Sequence, residues 1–113
     1  MTSDPPRTRW LVLPAGPAAP GADALWKRGT ARGEKGWRLQ TILSGAGLAW
    51  LEDPRLARLA ARGGAGASVS VCSRSARERG VTLDDLPPGV GASGLVRWFG
   101  ARPPGAPLWG LLP

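Results

Sequence analysis

Short apolar runs alternate along this chain with segments of helical spacing, and glycine or proline closes nearly every one. "TRWLVLPAG" sets Trp10 to Leu13 in a row before Pro14 and Gly16, which predicts a strand buried on both faces and stopped by a breaker. "WRLQTILSGAG" predicts a second strand ended by a glycine turn. "ASVSVC" predicts a third, with Val69 and Val71 on one face. The small Ser68, Ser70 and Cys72 lie on its other face, where a covering helix can approach closely.

Helical segments fill the intervals. Ala22, Leu25 and Trp26 have helical spacing, although Gly29 and Gly33 each cost about 1 kcal/mol against alanine in a helix interior. "LEDPRLARLAARGG" carries the strongest helix signal: Asp53 as N-cap, Pro54 at the first helical position, Leu56, Leu59 and Ala60 on one face, and glycines at the stop. "SRSARERG" opens on a serine and closes on Gly80, which fits two helical turns. "ASGLVRWFGAR" fits another short helix through Leu95, Val96 and Phe99, and "PLWGLLP" can supply a last edge strand. Strands that alternate with helices predict an α/β fold, a small three-layer domain with a mostly parallel sheet flanked by helices. Ligands gather at the carboxyl ends of strands in such folds, and Cys72 falls at the third of these ends.

The 113 residues suffice for one core and not for two. Residues 1–7, with their proline pair, are expected to be a flexible N-terminus, and 8–113 a single domain. Glycine and proline make up about a quarter of the chain, near the level that signals disorder, but the apolar runs argue for folding. No repeat is visible at periods of about 20 to 50 residues. No apolar stretch is long enough for a membrane span or a signal peptide, so the expected compartment is the cytoplasm, where a free thiol stays reduced.

Residue counts exclude whole classes of chemistry. With no histidine and one cysteine, the chain has no Cys/His metal site, no histidine general base and no internal disulfide, and no metal or cofactor is expected. "GAGASVS" and "SGAG" match neither a P-loop nor a complete dinucleotide fingerprint. The adjacent pairs Glu52/Asp53 and Asp84/Asp85 diverge on any regular backbone, so they read as caps and solvated charges. Six tryptophans beside a net charge of +7 invite an RNA-binding reading, with indoles on bases and cations on phosphates. Trp10, Trp26, Trp37 and Trp50 all adjoin apolar residues, however, which assigns most of them to the core or a subunit interface and argues against direct nucleic-acid binding. An acidic protein partner accounts equally well for the charge.

That leaves Cys72. As a small hydrophobe it could simply be buried. Alternatively, if Ser73 begins a helix, its first-turn N–H groups and the helix dipole favour a thiolate, with Arg74 and Arg77 adding positive potential within one turn.

The stretch "VSVCSRSARERGV" resembles the segment of the DsrE-like (DsrE/TusD) sulfur-relay family in which a strand delivers a cysteine and a short helix ends in Arg-Gly before an aliphatic residue, here Cys72, Arg79, Gly80 and Val81. The "LSGAGL" turn and the "SGLVRW" helix extend the resemblance over most of the chain, about Trp10 to Trp98. It implies a flavodoxin-like topology and a cytoplasmic sulfur carrier. Its cysteine would accept a persulfide from a donor protein and pass it to an acceptor protein, in tRNA thiolation or sulfur oxidation. It also implies a homo- or hetero-oligomer, trimer or hexamer, and allows a non-catalytic subunit as the alternative. In this reading Cys72 is the catalytic residue, Ser73, Arg74 and Arg77 stabilise its thiolate, and Arg79 and Gly80 close the helix rather than touch sulfur.

Overall fold

The computed structural model describes residues 7–30, 37–62, 67–104 and 108–110. Five strands, β1 (Arg7–Leu13), β2 (Trp37–Leu43), β3 (Ala67–Cys72), β4 (Val90–Ser93) and β5 (Leu108–Gly110), form one sheet in the order β4-β3-β2-β1-β5. Every neighbouring pair is parallel. Four helices connect them: α1 (Ala22–Thr30), α2 (Pro54–Ala61), α3 (Ser73–Glu78) and α4 (Leu95–Gly100). Of the expected loose N-terminus, residues 1–6 lie outside the described residues, as does Gly33, while Arg7 opens β1.

From β1 to β4 the chain steps across the sheet in one direction, and side chains of α1, α2 and α3 share one core with Leu11, Leu13, Leu39, Leu43, Val69 and Val71. It then returns to the far side of β1, crossing the opposite face through α4, as right-handed parallel connections require when the direction reverses. The expected three-layer α/β fold is therefore present. In the flavodoxin order the far side of the first strand is taken by the second strand; here the last one takes it.

Local chemistry explains the elements. The Asp53 carboxylate accepts the Arg55 backbone N–H at 2.8 Å, and Pro54 follows as the first helical residue, as the sequence predicts. Gly29 weakens α1, but a Cβ there would stand 3.1 Å from the Leu11 methyl groups, so the glycine lets the helix close on β1. Trp50, fully buried in a 3₁₀ helix over Gly45–Glu52, stacks on Trp26 at 4.6 Å and donates its indole N–H to the Ala15 carbonyl at 2.9 Å. Such ring pairs contribute about 0.5–1.5 kcal/mol beyond area burial.

Two expectations need correction. The segment "VGAS" is a strand, β4, held by parallel pairing of Val90–Ser93 with Val69–Cys72 rather than by any apolar alternation of its own. The helix expected through Leu95, Val96 and Phe99 forms, but it turns Leu95 and Trp98 to the sheet. Trp98 meets Trp10 edge to face at 5.0 Å, whereas Val96 is 89% exposed. Trp10, Trp26 and Trp50 are in the core, as the sequence predicts, and Trp98 joins them; the side chain of Trp37 lies outside the described set.

Candidate functional site

β3 alternates buried Ala67, Val69 and Val71 with half-buried Ser68 and Ser70, then ends on Cys72, opposite Ser93 of β4. The Cys72 backbone is still extended, and α3 begins at the next residue, so the thiol occupies the N-cap position. The first-turn N–H groups of Arg74 and Ser75 and the N–H of Leu95, the first residue of α4, act electrostatically on its thiol, although the side chain makes no capping hydrogen bond. The Ser75 hydroxyl acts on the thiol in the same direction, and its oxygen accepts the Gly45 N–H at 2.9 Å.

The side chain is closed from solvent, with Cys72 3% exposed. Burial is the largest influence on the thiol and pushes it up, yet the Ser75 hydroxyl and the three backbone N–H groups together outweigh it. The net result is a thiol held below its ordinary value. An ionised sulfur is thereby favoured by fixed dipoles.

The other residues singled out in the sequence are distributed around this centre. Ser73 is half-buried and is the first residue of α3. Arg74 is exposed and its Nε pairs with Glu78 at 3.1 Å, so it serves the sulfur through its backbone N–H. Arg77 is exposed on the same helix. Arg79 is the C-cap and Gly80 has a φ of 71°. Gly80 N–H bonds the Arg77 carbonyl and Val81 N–H the Ala76 carbonyl at 2.8 Å, a Schellman closure of α3.

Ser75, Gly45 and Leu95 were not visible as site residues from the sequence. Ser75 carried a signal, since a hydroxyl three residues beyond an N-cap can reach back to it. Gly45 and Leu95 arrive from distant parts of the chain. An open cavity of about 530 Å³ lies beyond β1 and β2, lined by Gly16, Pro17, Ala19, Ala46, Asp53 and Arg79 among others; Cys72 does not line it. Among the described residues no group of His, Cys, Asp and Glu could hold a metal ion, and no helix is long and apolar enough to cross a membrane.

This arrangement of strands and helices has been seen before. The ychN protein from E. coli superposes with a TM-score of 0.68 over 93% of this chain and 98% of its own, at 15% identity. MTH1491 from Methanobacterium thermoautotrophicum gives 0.67 over 93% and 98%, at 18% identity. BT1422 from Bacteroides thetaiotaomicron gives 0.63 over 91% and 94%, at 15%. The likeness is one of fold. No protein-family model and no curated protein matches the chain.

Proposed function

We propose that this chain is a cytoplasmic, DsrE-like sulfur carrier that holds a persulfide on Cys72. What supports the reading is the place of Cys72, at the carboxyl end of β3 and the N-cap of α3, where Ser75 and the nearby backbone N–H groups hold the thiol below its ordinary value despite its burial. A terminal sulfur of a persulfide is as anionic as a thiolate, and the same donors would stabilise both.

In the transfer, the Cys72 thiolate attacks the terminal sulfur of a donor protein's cysteine persulfide. A new S–S bond forms on Cys72, the donor's S–S bond breaks, and the donor cysteine leaves as a thiolate with no net oxidation or reduction. Discharge to an acceptor protein is the same exchange reversed. Because the sulfur is closed from solvent, the site has to open for either partner to reach it. Arg77, exposed on α3, supplies positive potential that draws an anionic persulfide in, while the Arg74 guanidinium is paired with Glu78. Donor, acceptor and further copies or relatives of the chain, in a trimer or hexamer, are the proposed partners.

Incubation with a persulfide donor followed by intact-mass measurement tests this. Wild type gains sulfur in increments of about 32 Da at a thiolate-dependent site, and Cys72→Ser gains none; equal gain in both removes the assignment. The 3% exposure of Cys72 favours a second reading, a non-catalytic subunit of a similar assembly. Native thiol titration separates them, because a permanently sealed cysteine reacts only after unfolding.

A further inference from the structure

Four large apolar side chains are exposed among the described residues, and three of them lie in two charged patches. On α4, Val96 is 89% and Phe99 38% exposed, neighbours at i and i+3 on the helix surface, and Arg97 is exposed beside them. In the 3₁₀ turn Leu83–Asp85, Leu83 is 53% exposed and exposed Asp84 and Asp85 follow it directly. One patch is apolar and positive, the other apolar and negative.

Neither charge is offset within the molecule. Among the described residues, the side chains of Arg97, Asp84 and Asp85 make no hydrogen bond or ion pair. The chain has no acidic residue after Asp85, so nothing in α4 or its sequence flanks can neutralise Arg97. The two patches belong to opposite layers: Leu95 and Trp98 seat α4 on the Trp10 and Ile42 side of the sheet, whereas Val81 and Leu86, on either side of the acidic turn, pack into the other core.

Both patches are ordered before any contact. The Asp85 N–H bonds the Thr82 carbonyl at 3.0 Å, and the turn runs into Pro87. α4 is pinned by Trp98 against the Trp10 ring and closed by the Ala101 N–H on the Arg97 carbonyl at 3.1 Å. Surfaces of this kind lose little conformational freedom when they dock. A net charge of +7 sets copies of the chain against one another at a distance. At physiological salt that repulsion is screened beyond about 8 Å, so groups in contact decide the outcome.

We propose that the α4 patch of one copy docks on the Leu83–Asp85 turn of a second copy, with Val96 and Phe99 against Leu83, and Arg97 facing Asp84 and Asp85. Both halves of the contact are present on this one chain, whereas an acidic foreign protein would leave Leu83 and its two aspartates without a counterpart. Because the two patches differ, the contact runs head to tail. It deepens the oligomer proposed with the sulfur carrier, but it needs nothing from Cys72.

Sedimentation velocity over a concentration series reads the contact. Wild type and Cys72→Ser should both associate at about 100 µM, where a Kd of about 10 µM leaves most chains bound. Arg97→Glu, and separately Asp84→Lys/Asp85→Lys, should each weaken self-association by about tenfold, since like charges then face each other. Mixed together, the two variants should associate as wild type does, because each supplies the charge opposite to the one the other has gained. All three positions are exposed, and circular dichroism checks that the variants fold. A wild type that stays monomeric, single variants that associate like wild type, or a mixture that stays apart each overturns the contact. Failure of persulfide loading would leave the contact standing, and failure of association would leave the loading test untouched.

Discussion

Ser75 lies one helical turn beyond Cys72 and lowers its thiol twice over, through the hydroxyl and through the backbone N–H. Removing the hydroxyl alone leaves the helix and its amide donors in place. Ser75→Ala should therefore slow alkylation of the native thiol at neutral pH by about tenfold, the lower end of what a hydrogen bond to a charged group contributes. It should also loosen the turn at Gly45, whose N–H loses its acceptor. A rate equal to wild type would remove Ser75 from the site.

The lowered thiol value makes stability depend on pH in a defined direction. Burial opposes ionisation and the donors from Ser75, Arg74 and Leu95 overcome it, so the folded chain releases the Cys72 proton at lower pH than the unfolded chain. In that interval the unfolded state binds more protons, and stability rises with pH. The contribution is lost as pH falls through the folded value and complete above the unfolded value, about 8.5. Denaturation of wild type and Cys72→Ser across this range should show the gap widening in favour of wild type as pH rises.

Gly47 and Gly80 are glycine for different reasons. A Cβ on Gly47 would come 1.7 Å from the Leu13 carbonyl oxygen, so Gly47→Ala must push the 3₁₀ segment off β1, at about 3 kcal/mol or more. At Gly80 there is open space but a left-handed backbone, and Gly80→Ala should cost only about 1–2 kcal/mol. Urea midpoints should rank them in that order.

Trp98 anchors α4 to the sheet, and α4 begins with Leu95, whose N–H helps to lower the Cys72 thiol. Trp98→Ala should destabilise the fold by about 3–5 kcal/mol. It should also raise the alkylation rate of Cys72 under native conditions, which loss of stability elsewhere in the sheet would not do selectively. Global unfolding measured by hydrogen exchange separates the two effects.

Thr41 is fully buried in β2 between Leu11 and Val69, and among the described residues its hydroxyl has no hydrogen-bond partner. Thr41→Val keeps the shape and removes the uncompensated group, with an expected gain of about 1 kcal/mol. Thermal denaturation should move up by roughly 4–8 °C.

Where one residue type carries both the turn and the packing, the chain is legible without coordinates. Asp53-Pro54 announces α2, Gly80 announces the end of α3, and Val69 and Val71 against Ser68 and Ser70 announce β3 with Cys72 at its carboxyl end. β4 was hidden because Gly91 and Ala92 have no strand signature; its neighbour imposes the conformation. The inward face of α4 was misread because Leu95, Val96, Trp98 and Phe99 are all apolar, so the helical period cannot say which pair turns in. At the thiol, the helix start was foreseeable, whereas the Gly45-to-Ser75 bond spans thirty residues and the Leu95 donor depends on where α4 lands. Arg74 was foreseen as a charge, but Glu78 one turn away takes its guanidinium.

The pairing of β1 with β5 joins the two ends of the described chain, Trp10 beside Leu108. During synthesis, β2 and β3 can dock in order as each leaves the ribosome, but the outer edge of β1 stays bare until nearly a hundred further residues have been added. Over that interval its unpaired backbone is the most available template for a wrong partner, so the nascent protein's aggregation hazard is set by the last strand to arrive.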